Sequence, residues 1–310
     1  MPQTDLPVPD HGLIASGPEE VVSPEAAALA TQIAAIFGAS LLAVLHYGSR
    51  SQGRLTHPDS PYDFFVVVVG YRLAYRCAAV MGAVRSPRLA ILLAHLLPPN
   101  AMAVRARGAS GVLEGKCIII SRRDFERETS PRARDHFVRA RMMQRVLFCW
   151  SRDGDSTRVI RQCLESVRSK TFGWAQAFLT LQFDLSSYCR ALLEISLAHE
   201  VRAESREHAG VLYQAQQAWF LANYRPVLGA LVAQGWLEHD EPHGLYRQRQ
   251  PPGAVAKFQV RTYFRWNRAR TTLRLLKHPF LYDNWLDYLL NKVRRSTGET
   301  ITLSPRERRW

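Results

Sequence analysis

The stretch His46-Tyr47-Gly48-Ser49-Arg50-Ser51-Gln52-Gly53, followed by Tyr62-Asp63-Phe64-Phe65-Val66-Val67, holds the residue types whose order points to chemistry. An apolar strand runs into a Gly-Ser turn, and a second apolar strand opens on a carboxylate. A Gly-Ser turn between strands is common and carries no chemistry alone. The addition of Tyr47, Gln52 and Asp63 turns it into a candidate site. The chain around it is basic, with 41 Lys and Arg against 27 Asp and Glu and a net charge of +14. Residues 245–310 hold 15 of the basic and 4 of the acidic groups, so +11 lies in the last fifth. Surface of that density attracts polyanions: nucleic acid, anionic lipid or nucleotide phosphates. Arginine suits such anions because its guanidinium donates in a bidentate fork.

Several elements must position these residues. Ser23-Pro24 reads as an N-cap with proline at the first helical position, and Glu25–Phe37 as a helix ending at Gly38. Leu41–Tyr47 is a strand, residues 48–61 a loop rich in Gly, Ser, Pro and Arg, and Asp63–Val69 a buried strand. Residues 89–97 are apolar and fit either type. Gly111–Ser121 contains a third strand, Lys116–Ser121. The pattern is then helical to about residue 233, with breaks near Asp153-Gly154 and at Arg225-Pro226. Gly235–Glu238, a polar turn His239–Gly244, and Leu245–Arg247 form a hairpin after helices, the pattern of a winged-helix wing. His239, Asp240, Glu241 and His243 fall in that turn and read as turn residues, not a metal site. Tyr282–Arg295 is a helix with Trp285, Leu286, Leu289, Leu290 and Val293 on one face.

Composition bounds the class. With 310 residues, 47% apolar and 22% charged, the chain is neither disordered nor collagen-like. No apolar run approaches the ~18 residues of a membrane span, and Phe64–Tyr71, the longest candidate, is strand-sized. The N-terminus is Pro-rich and acidic (Asp5, Asp10, Glu19, Glu20), unlike a signal peptide, and reads as a flexible arm. Cys77, Cys117, Cys149, Cys163 and Cys189 include no CxxC pair, so reduced thiols in a reducing compartment are expected and zinc is not. Ser304-Pro305-Arg306-Glu307 is a capping box that announces a helix at the very end of the chain. A basic helix there suits a membrane surface, and the natural chain is expected to continue past Trp310 with it.

The turn and the strand opening at Asp63 resemble the nucleotidyltransferase superfamily of the DNA polymerase beta type. There the Gly-Ser turn leads a helix whose N-terminal amides hold a triphosphate, and the next strand carries two carboxylates at alternate positions for magnesium. Asp63 matches the first, and Phe65 stands at the second. That departure is similar to one branch, the mitochondrial-type phosphatidate cytidylyltransferases (the translocator assembly and maintenance family), in which a Tyr-Gly-Ser turn precedes Asp-Phe-x-Phe. Asp63-Phe64-Phe65-Val66 nearly repeats it. Cys117–Asp124 resembles the segment after the nucleotide-binding strands. Arg139-Ala140-Arg141-Met142-Met143-Gln144-Arg145-Val146 is similar to its Ala-Gly-Arg-Leu-x-Lys-Pro-Val, with Gln144 in place of the Lys. Ser196–Arg202 is similar to Ser-Tyr-x-Gly-Asp-x-Arg, with Glu200 in place of the Asp, and residues 211–226 resemble the next helix. The resemblance covers roughly residues 41–230 and reads as a divergent bacterial homologue.

The resemblance implies an α+β fold: a polymerase-beta-like nucleotidyltransferase domain followed by a mostly helical, winged-helix-like domain. The expected division is a flexible arm over 1–22, the nucleotidyltransferase domain over 23–150, the helical domain over 151–260, and a basic, membrane-binding helical segment over 261–310. It implies synthesis of CDP-diacylglycerol and pyrophosphate from CTP and phosphatidic acid, with Mg2+. Gly48 and Ser49 would hold the β- and γ-phosphates, Asp63 would ligate magnesium, and Glu200 would supply the second carboxylate. Arg50, Lys170 and Arg202 would neutralise phosphates, and Lys116 or Glu114 would face the nucleotide from the third strand. Read without the family, Glu200 and Arg202 fit a surface ion pair, and Arg139, Arg141 and Arg145 do not share one helical face, so some are solvated. The expected partner is an anionic membrane surface, with a peripheral, cytoplasmic location on the inner leaflet; nucleic acid is not expected. The alternatives are a degenerate nucleotidyltransferase serving as a nucleic-acid-binding module, or nucleotidyl transfer to RNA or a small molecule.

Overall fold

The computed structural model describes residues 21–52, 60–108, 111–199 and 206–277, together with Leu290. Ser23 opens helix α1 (Pro24–Phe37), its hydroxyl accepting from Ala26 N at 3.2 Å, and Gly38 closes it, as the Ser-Pro start and the glycine predict. Strand β1 (Leu41–Tyr47) is buried along its whole length. It pairs antiparallel with β2 (Tyr62–Val68). Helices α2 (Tyr71–Val80) and α3 (Pro87–Leu96) follow, so the ambiguous run 89–97 is helical, started by the Pro87 that fixes its first φ.

Strand β3 (Asn100–Gly108), which the sequence reading passed over, pairs antiparallel with β4 (Gly111–Ser121). The third expected strand is therefore the fourth, and longer than expected. Ser121 caps α4 (Arg122–Thr129), then come α5 (Phe137–Met142) and β5 (Leu147–Ser151), which pairs antiparallel with β1. This strand interrupts the stretch expected to be helical. The sheet runs β3-β4-β2-β1-β5, with β2 and β4 parallel and joined through α2, α3 and β3.

Asp153 caps α6 (Gly154–Ser169), as the Asp-Gly break predicts, with Ser156 N donating to its carboxylate at 2.7 Å. After α7 (Phe172–Ala175) a short β6 (Gln182–Asp184) leads into α8 (Leu185–Ala198), α9 (Arg206–Ala215) and α10 (Gln217–Ala233). Pro226 does not break α10: it lies inside the helix, flanked by the buried Tyr224, Val227 and Leu228. The expected hairpin is present as β7 (Leu237–Asp240) and β8 (Leu245–Gln248), and β6 completes a three-stranded sheet ordered β6-β8-β7. His239, expected in the turn, lies in β7 and stacks on its β8 partner Tyr246, while His243 of the turn pairs with Asp240 in solvent. Helix α11 (Ala254–Leu275) runs through position 260/261.

The larger sheet separates two apolar layers. Val44, Tyr62, Phe64, Val66, Cys117 and Ile119 meet α1, α2 and α3 on one face. On the other, Leu45, Phe65, Val67, Ile118 and Ile120 join one continuous core with Ile160, Leu192, Phe220, Tyr224 and Phe264 of the helical part. The protein is thus α+β, with a mixed five-stranded sheet against a helical layer. All five cysteines are free thiols, and among the described residues no helix is long and apolar enough to cross a membrane. The arm over residues 1–20, the helix over 282–295 apart from Leu290, and the Ser304–Glu307 capping box lie outside the described residues.

Helix α11 is fastened by polar groups. Asn267 accepts from His136 N at 2.9 Å and donates to His199 O at 2.9 Å. Arg270 and Arg274 both reach Asp135. Burial alone would raise the Asp135 carboxyl, but the Arg274 and Arg270 guanidiniums outweigh it and hold it below the ordinary carboxylate value. Beyond them the Lys277 ammonium donates to Leu97 O, to Pro99 O at 2.9 Å and to Asn100 Oδ1 at 2.8 Å. Burial, then the like charges of Arg274 and Arg270, lower its pKa from 10.5 to about 7. An unfolded lysine keeps its proton across that interval and the folded one does not, so stability rises with pH above about 7. The gain is at most about 1.4 kcal/mol per pH unit. Melting temperatures at pH 7 and 9 should show this gain in the wild type and lose it in Lys277→Met; equal slopes would refute it.

Candidate functional site

The site begins where β1 ends. Gly48 has a φ of +85°, a region that L side chains rarely adopt. A Cβ placed there would stand 2.9 Å from Asp63 Oδ2 and 3.4 Å from Asp63 Cβ. Only glycine lets the turn close on the carboxylate. Ser51 Oγ donates to Gly48 O at 2.8 Å and Gln52 N to Ser49 O at 3.3 Å, which ties the turn to itself. Behind it, His46 Nδ1 lies 3.0 Å from Asp63 O. A carbonyl only accepts, so Nδ1 carries the proton. Burial lowers the His46 pKa, so at neutral pH the ring is uncharged and works as a fixed donor on the Asp63 backbone.

Register decides what stands beside the carboxylate. Tyr47 pairs with Asp63 across β1–β2, and Asp63 with Lys116 across β2–β4. Partners in register point to the same side of a sheet, so phenol, carboxylate and ammonium share one row at the sheet end. Of the two third-strand candidates, Lys116 holds this place. Glu114 instead pairs with Arg105 at 3.0 Å, in solvent.

The next row, Leu45, Phe65 and Ile118, is core. The Phe65 ring is fully buried, 5.0 Å from Tyr47 and 6.5 Å from Phe125 between centroids. A carboxylate at this position would be sealed in apolar surroundings at a cost of several kcal/mol. The aromatic residue is thus built into the core, and the site keeps one strand carboxylate. Among the described residues no group of three or more His, Cys, Asp or Glu could hold a metal. One carboxylate fits a single magnesium held mainly by substrate phosphates.

Of the remaining expected residues, Ser49 and Arg50 stay at the turn and Lys170 does not. Arg50 spans the mouth of the loop: Nε donates to Ser60 O at 2.8 Å, Nη1 to Tyr62 OH at 3.2 Å, and the guanidinium lies 4.4 Å from the Tyr62 ring centroid. Ser49 stays in the turn, partly buried. Lys170 is the C-cap of α6, in the helical layer. Gly53, Glu200 and Arg202 lie outside the described residues. Arg139 and Arg141 are buried rather than solvated: the first reaches Ser130 O, and the second donates to Phe137 O at 2.7 Å and covers the Phe137 ring.

Sequence reasoning gave no role to His46, although it lies in the motif. It also missed that the Gln52 side chain leaves the turn to meet Gln144, which meets Gln216. No signal in one sequence links those positions. No protein-family model matches the chain, and no curated protein matches it.

Proposed function

We propose that the protein is a peripheral nucleotidyltransferase that makes CDP-diacylglycerol and pyrophosphate from CTP and phosphatidic acid. The observation that carries this reading is the Gly48 turn closed on Asp63, at the end of a sheet whose next strand sets Lys116 in the same row. A Gly-Ser turn beside one carboxylate and one ammonium suits a triphosphate and its counter-ion. A polymerase-beta-like core is supported by the antiparallel β1–β2 pair on either side of the turn and by the parallel β4 beside β2. The β7–β8 hairpin after α10, joined by β6 from before α8 into a three-stranded sheet, supports a winged-helix-like second part.

In this reading a phosphatidate oxygen attacks the α-phosphorus of CTP in line. The bond from that phosphorus to the β-phosphate oxygen breaks, and pyrophosphate leaves. The protein's work is positioning and charge stabilisation. The Gly48 and Ser49 amides face the β- and γ-phosphates, Lys116 offsets their charge, and Asp63 is the residue that would hold magnesium. Bound there, the ion supplies neutralisation of phosphate charge. Glu200 as a second carboxylate, and Arg202 and Lys170 on the phosphates, belong to this proposal.

The membrane partner is supported by α11, which carries six Lys and Arg and no Asp or Glu. Val255, Phe258, Trp266, Leu273 and Leu276 are exposed on or just beyond the same helix. A basic helix with exposed aromatic and aliphatic side chains suits an anionic lipid surface. The inner leaflet of the cell membrane is the location this implies.

The test is pyrophosphate release with magnesium, each of the four ribonucleoside triphosphates, and vesicles with or without phosphatidate. Release is expected with CTP and phosphatidate together, and should fall as salt rises. Release that needs RNA or DNA instead of lipid, or none with any nucleotide, would overturn the proposal.

A further inference from the structure

The Gln52 side chain is the unusual feature of the turn. It is 5% exposed, and its Nε2 donates to Gln144 Oε1 at 3.2 Å. The same Gln144 oxygen accepts from Gln216 Nε2 at 3.3 Å. Gln216, 3% exposed, stands just before α10, so one amide oxygen joins the Gly-Ser turn to the helical layer.

The direction of these bonds is set at the far ends. Gln144 Nε2 donates to Ala140 O at 2.7 Å, and Gln216 Oε1 accepts from Arg145 N at 3.0 Å. Those backbone groups can play only one role each. Gln144 therefore turns its oxygen, and Gln216 its nitrogen, toward the junction, and Gln52 must offer its nitrogen as well. The consequence is visible: Gln52 Oε1 is buried with no partner among the described residues. A buried acceptor left unpaired costs about 1–3 kcal/mol. A buried group of this kind calls for an explanation, and the junction supplies one.

We infer that Gln144 is a positioning residue for the nucleotide turn: its side-chain oxygen holds Gln52 and Gln216 together and so fixes the Gly48–Gln52 turn against the helical layer. It touches no phosphate itself. This rests on the reading that the turn binds a nucleotide, and it adds a mechanism that sets how well it does so. The link runs through side-chain amides, which carry no charge, so the effect is insensitive to salt, unlike the phosphate contacts.

The experiment compares wild type, Gln144→Met, Gln52→Met and the double variant. Methionine keeps length and volume while removing the hydrogen bonds. Amide hydrogen exchange of the segment containing residues 48–52 should quicken about tenfold in each single variant. The KM for CTP should rise by a similar factor, with kcat nearly unchanged and no change in salt dependence. The double variant should be no worse than either single, because one linkage is broken only once. Unchanged exchange in the turn, or additive effects in the double variant, would overturn the inference even if CTP binds. Faster exchange in a protein that binds no CTP would leave the relay standing as an anchor and remove the nucleotide reading instead. A lowered melting temperature with unaltered exchange and KM would mark the glutamines as ordinary packing and refute the inference.

Discussion

Asp63→Asn should lower lipid-dependent pyrophosphate release by about a thousandfold, roughly 4 kcal/mol of transition-state stabilisation. Asparagine keeps the shape that fits under Gly48 and leaves the backbone carbonyl that His46 holds. It removes the charge and turns one acceptor oxygen into a donor. Since Phe65 fills the neighbouring position with a buried ring, β2 offers no second carboxylate to take over. Asp63 is partly exposed at the strand start, so its loss should change stability by no more than ~1 kcal/mol. A melting curve close to wild type with turnover lost is the expected pair. Turnover near the wild-type rate would remove Asp63 from the site, and with it the reason for reading this turn as a nucleotide turn.

How much of this was legible depended on distance along the chain. Helix α1 was readable because its cap, its apolar spacing and its closing glycine lie within one short segment. Strand β1 was readable because all seven of its residues are buried and apolar or aromatic in type, His46 excepted. Strand β3 was not read, although Met102 and Val104 alternate with exposed Ala103 and Arg105, the signature of an edge strand with one wet face. Strand β5 is five residues long and ends just before the Asp153 cap, too short for its period to separate it from a helix. Pro226 looked like a breaker because a proline lacks one hydrogen bond and crowds the preceding turn. Burial of Tyr224, Val227 and Leu228 around it outweighs that local cost. In the site, Gly48 and Asp63 were readable as one motif. That Gly48 must be glycine because a carboxylate lies against it needed the fold. Gln52 and Gln144 meet across 92 positions, and nothing local to either announces the other.

The Gly48 contact yields the other large effect. Gly48→Ala puts a Cβ into two difficulties at once. The φ of +85° disfavours any L side chain by about 1–2 kcal/mol. The new atom also falls 2.9 Å from Asp63 Oδ2 and within 3.5 Å of Asp63 Cγ, so the carboxylate must leave its place. Gly82 separates these causes. Its φ is +67°, and a Cβ there would meet nothing within 4 Å. Both alanine variants should therefore lose about 1–2 kcal/mol of stability, measured in matched denaturant titrations. Only Gly48→Ala should lose turnover, by about a hundredfold or more, since a displacement of about 1 Å at a catalytic group has that effect. Equal turnover in the two variants would mean that the close approach of Gly48 to Asp63 is a feature of folding alone. A loss confined to Gly48→Ala, at equal stability, would tie the turn to the carboxylate as one functional unit, because the backbone strain common to both variants cancels in the comparison.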